Sequence, residues 1–492
     1  MTINALTSNQ SLAEIVKERS GENVFLCYQC RKCGSGCPLS DDMDLTPNLI
    51  MRAVQLNRKE LVLNSTSIWL CDSCQTCTTR CPQGIDIAKV QDTLKILARE
   101  AGVAAKIPAV PAFNDAVLRS IRMYGRMYEP QVMAELNLRM KDPFRNMALA
   151  RRMMSARKVK LLPSRARFPR NLNSVKNVVA EPSEVVAYYP GCSLHGSAPE
   201  FDMSTRAVAE KLGLRLQEPK GWTCCGTTPA HMTDPFIAAT LPVQNLSLME
   251  KSGFKAVTVP CAACFSRMKF AAHEIREDAE LKEKVAKKIG YEYRGGVEVE
   301  HSVNTFTKRV GLDKVKASVT KPLKGLKVAC YYGCLLTRPP EITGADNPEY
   351  PMNMDNLIRA LGATTVEWSF KTECCGANLA LTNLDSCLRL VGLIIENAKK
   401  AGAEALVVAC PLCQLNLDSR QFDIAERTGG QPDVPVYYFT QLMGLAMGFD
   451  EKQIGLDKLL VDGRPLLESK GFLGSEPAAV AAGSETKGSG AA

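Results

Sequence analysis

At 492 residues the chain is too long for one ordinary domain, and its length predicts roughly three compact units. A hydrophobic fraction of 46% with 23% charged residues is that of a soluble globular protein and argues against a disordered or membrane-embedded chain. The formal charge of +9 is uneven, because 14 Lys or Arg against three acids (Glu129, Glu135, Asp142) fall between Arg119 and Arg170, and the bulk of the chain is close to neutral.

The opening MTINALTSNQSLAEIVKERSG lacks a basic start followed by an apolar core, and no apolar run approaches the ~18 residues of a spanning helix, so a cytoplasmic location is expected. Twenty cysteines in a reducing compartment call for metal ligation rather than disulfides. Four histidines leave little material for imidazole-built zinc or haem sites.

Residues 22 to 100 hold eight cysteines in two copies of CxxCxxCxxxCP. Three thiolates spaced by two residues wrap one cube of iron and sulfide, and the cysteine before proline ligates the neighbouring cube. This assigns Cys27, Cys30, Cys33 and Cys81 to one [4Fe-4S] cluster and Cys71, Cys74, Cys77 and Cys37 to a second. Zinc ribbons need only four ligands per site and do not call for two such strings. Between the motifs, Thr46 as N-cap and Pro47 at the first helical position predict a helix reaching about Asn64, with Leu49, Ile50, Ala53 and Val54 on one face. Asp86 is expected to cap another, striped by Ile87, Val90, Leu94 and Leu97 and ending near Gly102. The predicted fold of residues 20–105 is an α-helical ferredoxin.

The cysteine-free, basic stretch that follows carries seven methionines from Met123 to Met154 and then Pro163, Pro169 and Pro182. It predicts amphipathic helices followed by an extended linker, spanning 106–182. Sparse aromatics argue against nucleic-acid binding. A docking surface for an acidic partner or a membrane face is expected, or else a solvated face with its methionines turned to the core.

From Val185 onward, short β-branched runs alternate with helical stretches, as VVAYY, LRLQ and KAVTV, and return as KVACYY, TTVEW and ALVVA. Leu212-Gly213 recurs as Leu361-Gly362 and Gly253 as Gly402, each 149 residues on. This internal duplication predicts two α/β units with short parallel sheets, over 183–322 and 323–450. The first unit carries Cys192, Cys224-Cys225-Gly226 and Cys261-Ala-Ala-Cys264, and the second Cys334, Cys374-Cys375-Gly376 and Cys410-Pro-Leu-Cys413. Each set places five thiols at the carboxyl ends of strands, where open α/β sheets keep their crevices. Five exceed the demand of a cube and imply an irregular arrangement of irons, with glycine letting the backbone turn around the pair. Cys330 and Cys387 are expected to be small buried hydrophobes. The tail from Gly471 to Ala492 is low-complexity and expected to be disordered.

The strings YYPGC, CCG, VPCAAC, YYGC, ECCG and CPLCQLNLD resemble the catalytic subunit of heterodisulfide reductase, and the first hundred residues resemble that enzyme's small double-cluster subunit. Residues 20 to about 450 thus resemble a fusion of the two. The resemblance implies a non-cubane [4Fe-4S] cluster on each five-cysteine set and reduction of a disulfide, of the coenzyme M/coenzyme B type or analogous, between the two. It implies a flavoprotein partner of the heterodisulfide reductase type, with hydrogenase or formate dehydrogenase modules or a membrane cytochrome b, in a hetero-oligomer without nucleic acid. Iron-sulfur subunits of glycolate oxidase, anaerobic glycerol-3-phosphate dehydrogenase and succinate dehydrogenase type E share the architecture. The alternative is an electron relay in an anaerobic flavin-based electron-bifurcating or acyl-CoA-reducing complex with no disulfide of its own. His195 and His231 are candidate proton donors or hydrogen-bond partners of the clusters, and Arg338 a candidate for a substrate carboxylate or phosphate, or a loop carbonyl. His273 and His301 are expected to have no role.

Overall fold

A computed structural model of the chain describes residues 5–169, Leu172, Val175 and 185–474. The rest of the expected linker through Pro182, and the tail from Ser475 on, lie outside the described residues. The N-terminal region is helical. Its core joins Leu12, Ile15 and Val16 of the helix Leu12–Ser20 to Ile50, Val54, Val62, Leu63, Val90, Leu94 and Leu97. Burying each of these aliphatic side chains stabilises the region by about 1.5–3 kcal/mol relative to exposure.

The helix after Pro47 differs from expectation. It runs Pro47–Gln55, breaks where Asn57 takes φ +54, and resumes as Lys59–Leu63. Asn57 tolerates the left-handed conformation and its side-chain oxygen accepts from the Leu12 amide at 2.8 Å, so the break ties two helices to a third. Thr46 makes no capping bond; its hydroxyl donates to Asn48 instead. Asp86 does cap the helix Ile87–Glu100, accepting from Lys89 N at 2.9 Å.

The second half contains two four-stranded parallel sheets of the same topology. The first has order β2-β1-β3-β4, from β1 (Val185–Tyr188), β2 (Arg215–Gln217), β3 (Ala256–Val259) and β4 (Glu298–His301). The second has order β6-β5-β7-β8, from β5 (Lys327–Tyr331), β6 (Thr364–Thr365), β7 (Ala405–Val408) and β8 (Val436–Tyr438). The duplication read from sequence is therefore a duplication of sheets, each with a fourth edge strand beyond the three expected. The glycines that recur at 213/362 and 253/402 all have positive φ at helix ends. One continuous hydrophobic core runs through both sheets, including the stack of Phe201 on Tyr438 at 4.1 Å. Phe472, at the start of the tail expected to be disordered, is buried against this core.

Between the helical region and the sheets lie the helices Ala109–Tyr124, Glu129–Arg139 and Met147–Ser155. The last buries none of its residues. Just beyond it Lys158, fully buried, donates to Glu200 at 2.7 Å where the two sheet units meet, with Gln414 of the second at 3.5 Å. Among the described residues no helix is long and apolar enough to cross a membrane.

Candidate metal centre

All twenty cysteines are free thiols. In both N-terminal motifs the residues between ligand candidates adopt left-handed backbone, at Gln29 and Arg31 in the first and Ser73 and Gln75 in the second. Left-handed Arg31 and Gln75 lead directly into the helical turns Lys32–Ser35 and Thr76–Thr79, a junction that turns successive amides to one side as a nest suited to an anionic group. Cys27, Cys30, Cys33 and Cys81 line one small cavity together with Asn48. Burial, then the neighbouring Cys27, pushes the Cys33 thiol up to about 11. Cys37 lies among Cys71, Cys74 and Cys77, the other motif's thiols, and burial and mutual repulsion hold the protons on Cys37 and Cys77.

In the sheet units the first cysteine of each set and the first of each closing CxxC pair sit where a strand ends. Cys192 follows β1 and Cys334 follows β5, while Cys261 and Cys410 are N-caps of the helices Ala262–Glu277 and Pro411–Thr428 that leave β3 and β7. The glycine before each first cysteine is required twice over. Gly191 and Gly333 both have φ +70, and a Cβ there would stand 3.1 Å from Cys264 Sγ and Cys413 Sγ. Gly226 and Gly376 after the double cysteines also have positive φ, as the tight turn demands. Cys225 Sγ lies 3.2 Å from Cys264 Sγ, and Cys375 Sγ 3.6 Å from Cys413 Sγ. Cys192 bonds Cys224 in the same manner. Each five-cysteine set is thus one contiguous cluster of thiols.

The sets touch one another in a fixed order. Cys374 Sγ donates to Asp72 Oδ2 at 2.7 Å. It also faces Cys74, and its hydrogen bond there holds the Cys74 thiol down to about 6. Cys261 and Cys410 bond across the two sheet units. The second ferredoxin motif therefore abuts the second sheet set, which abuts the first.

All five thiols of that first set open on a cavity of ≈ 490 Å³. Its far wall is built by Met127, Met133, Met147, Met153 and Met154, with Phe113, Val117 and Val132. Five of the seven methionines of the basic stretch thus line the cavity, whereas Met123 is exposed. Glu129, at the start of the helix Glu129–Arg139, also lines the cavity, with its carboxylate accepting from Ser197 at 2.7 Å.

The histidines and Arg338 are placed in ways the sequence did not foretell. His231 is turned from the thiols to Asp92 of the ferredoxin region at 2.7 Å, where Lys95 also binds. His195 stands 3.4 Å from Glu218 and 3.4 Å from Arg126, at the edge of a small pocket beside Cys192. Arg338 is fully buried and holds Thr76 Oγ1, the Thr372 carbonyl and hydroxyl, and Glu349, so it is a strut between the second sheet unit and the second ferredoxin motif. Of the two roles expected for it, the loop carbonyl is the one its contacts match. His273 is half-buried and bonds Arg276. His301, expected to be idle, is fully buried, and Pro260 O lies 3.0 Å from its ring nitrogen, next to Cys261; burial holds its imidazole down to about 4. The alternation Glu298, Val299, Glu300, His301 on an edge strand was the available signal for that burial. Cys330 and Cys387 are fully buried, Cys387 donating to Asn416 Oδ1 at 3.3 Å. Asp72 gave no signal of its own although it directly follows Cys71; burial, partly offset by the Cys374 contact, pushes its carboxyl up to about 7.

The donor sets fit iron-sulfur clusters. Among the described residues no three His, Cys, Asp or Glu side chains converge as the ligands of a single metal ion would. The thiols instead form crowded, sulfur-rich groups, mostly buried in the sheet units, the chemistry that soft iron-sulfide clusters select. Most sheet-unit thiols are pushed up by burial and by one another, so the positive charge of a bound cluster would be needed to convert such a group to thiolates.

A model of the 4Fe-4S dicluster domain matches residues 26–86, and one of the cysteine-rich CCG domain matches 186–269 and 328–418. The chain is 33% identical over 283 residues to the 8-methylmenaquinol:fumarate reductase membrane anchor subunit of Wolinella succinogenes, covering 57% of this chain and 98% of that one. It is 30% identical over 279 residues to a subunit of the ferredoxin/F(420)H(2)-dependent CoB-CoM heterodisulfide reductase of Methanosarcina acetivorans, covering 56% of this chain and 92% of that one. The same identity and coverage hold with a subunit of the ferredoxin:CoB-CoM heterodisulfide reductase of Methanosarcina mazei. With a double-cluster ferredoxin region and two cysteine-rich domains on one chain, the protein belongs to the family of cysteine-rich heterodisulfide reductase subunits and their fumarate reductase counterparts, as an iron-sulfur electron-transfer subunit.

Proposed function

We propose that the chain is the disulfide-reducing iron-sulfur subunit of a heterodisulfide-reductase-like complex, organised as a ferredoxin unit (20–105), a basic helical connection (106–182) and two cysteine-rich units (183–322 and 323–450). Cys27, Cys30, Cys33 and Cys81 hold one cubane [4Fe-4S] cluster and Cys71, Cys74, Cys77 and Cys37 the other. Cys192, Cys224, Cys225, Cys261 and Cys264 hold one non-cubane cluster, and Cys334, Cys374, Cys375, Cys410 and Cys413 the other. Bound there, such clusters supply one-electron steps that together meet the two-electron demand of an S–S bond. A reduced flavoprotein of the same complex is the donor.

The observation that carries this reading is the order of contacts, from the ferredoxin motif at Cys74 to Cys374, then from Cys410 to Cys261, ending at a cavity onto which the first set opens. The cavity is the substrate chamber. Its apolar wall excludes water and receives the carbon skeleton of a disulfide, and Ser193 and Ser197 offer hydroxyls beside Cys192. Arg126, stacked on Trp222 at 3.5 Å, closes the polar side of the set.

The test is anaerobic turnover of the cluster-loaded chain with a reduced viologen and an organic disulfide, scoring thiol release. Wild type should release two thiols per disulfide consumed, and Cys225→Ala or Cys375→Ala should abolish release while leaving the paramagnetic signals of the cubane clusters. A loaded chain that reduces no disulfide sinks the enzyme reading and leaves a relay; unchanged turnover in both variants sinks the site assignment.

A further inference from the structure

We propose that Glu129 is the proton donor of the cavity, the side chain that hands protons to the sulfurs of a disulfide cleaved there. This rests on the disulfide-reducing function above. An S–S bond that takes up two electrons breaks to two thiolates, and because ordinary thiols titrate at about 8.5, both products take up a proton at neutral pH. The cavity wall offers one source. Among the described residues that line it, Glu129 is the only carboxyl, and there is no histidine or lysine. Arg145 and Arg420 stay charged, and the Tyr128 hydroxyl is given to the Leu161 carbonyl.

The backbone leading to Glu129 is fixed against the first cysteine set. Cys224 N donates to Gly125 O at 2.9 Å, Met127 N donates to Cys192 Sγ at 3.4 Å, and Tyr128 N donates to Ser120 Oγ at 2.9 Å. Ser197 Oγ then donates to Glu129 Oε1, which leaves Oε2 to carry a proton. Gly196 makes room for that oxygen, because a Cβ there would stand 3.1 Å from it. Burial, partly offset by the Ser197 bonds and the charge of Lys158, pushes the carboxyl up to about 7, where an acid both gives and regains a proton readily.

The other side of Glu129 meets a second, water-sized space of ≈ 20 Å³, lined also by Cys192, Arg126, Lys160, Ser164 and His195. Lys160 is exposed, so this pocket lies at the surface, and His195 continues outward to Glu218. Glu129 therefore stands in the wall between the apolar chamber and a pocket that reaches solvent. The charged groups facing it are Arg126, Lys160 and His195 across the pocket and Lys158, which is committed to Glu200. The step balances as follows. Two electrons arrive through the cysteine sets, the S–S bond breaks, and Glu129 releases its proton to one sulfur. It regains a proton from solvent by way of the pocket and releases that to the other sulfur, so one disulfide, two electrons and two protons become two thiols.

The experiment compares wild type with Glu129→Gln as anaerobic, cluster-loaded full chains under reduced viologen. Glutamine keeps the size and accepts the Ser197 bond but has no acid proton. With a dialkyl disulfide, kcat should fall about a hundredfold at little change in KM, within the range for loss of a general acid. The wild-type decline of kcat as pH rises through ~7 should vanish in the variant, and Glu129→Asp, which keeps the acid, should recover part of the rate and the decline. With an aryl disulfide, whose thiolates leave without a proton, the loss should shrink to a few-fold. Infrared difference spectra between pH 6 and pH 8 read the group without turnover: a protonated-carboxyl band should titrate in wild type and be missing from Glu129→Gln. A wild-type chain that reduces neither disulfide overturns the proposal together with the function beneath it. Wild-type turnover with an unchanged pH profile in Glu129→Gln, an equal loss on both disulfides, or identical infrared titrations overturns this proposal alone.

Discussion

The two five-cysteine sets are built on equivalent sheets, equivalent glycines and equivalent helix N-caps, yet they meet different surroundings. The second set is sealed against the ferredoxin region, with Cys374 on Asp72 and Arg338 strapped to Thr76. The first set looks into a cavity roofed by methionines. What distinguishes them is not their ligands but what packs on them. On the function proposed above, the duplicated fold makes one copy a receiver of electrons and the other a place of exchange by changing only its neighbours.

Substitutions can break this contrast at graded strength. The largest effect is expected from the thiols themselves. Cys224→Ala should cost the iron of the first set and leave that of the second, and Cys374→Ala the reverse, as counted by iron analysis of the anaerobic protein; loss of all sheet-unit iron in both would show that the sets do not load separately. Next comes Lys158→Met, which strands Glu200 without its partner at the seam of the two units. Removing one partner of a buried pair costs about 3–5 kcal/mol, and adding Glu200→Gln should recover much of it in denaturant titrations. Arg338→Met loosens only the sealed side. It should lower stability by about 2–3 kcal/mol and leave apolar ligand binding in the cavity unaltered.

His231→Gln weakens the tie between the first unit and Asp92, with an expected loss of about 1–2 kcal/mol and no change in iron content. If it removed iron from the first set, its assignment as an interface residue would be wrong. The smallest effect belongs to Cys330→Ala and Cys387→Ala. Each should cost about 1 kcal/mol in melting experiments and no iron, which marks them as packing residues apart from the sets.

The ligand candidates and the repeat were legible because their chemistry is local. CxxCxxCxxxCP and CCG are short strings with fixed purposes, and β-branched runs bounded by glycine announce strands. The fourth strands were not legible because both are short edge strands: β4 mixes Glu298, Glu300 and His301 with Val299, and β8 is only Val436, Tyr437 and Tyr438. Asn57 broke a helix that periodicity alone would continue, since its value lies in a bond to Leu12, 45 residues away. The cavity was illegible for the same reason. Methionines at Met127, Met133 and Met153 read as an apolar stripe, and nothing local says that they face Cys192 and Cys224 rather than a packed core. Arg338 and His231 illustrate it again. Both follow cysteine motifs in sequence, and both are spent on contacts with residues 262 and 139 positions away.

The bond between Cys261 and Cys410 has a meaning that lies in their numbering. They are separated by 149 residues, the spacing of the repeat, so each is the other's counterpart. Only groups beside a two-fold axis can touch their own images. The two units therefore associate inside one chain as an isologous dimer does between chains, with the axis passing between these sulfurs. Each cysteine also caps a long helix, so the positive ends of two helix dipoles converge at the axis. Negative charge arriving at that point is stabilised from both halves at once, and a substitution at either cysteine touches both.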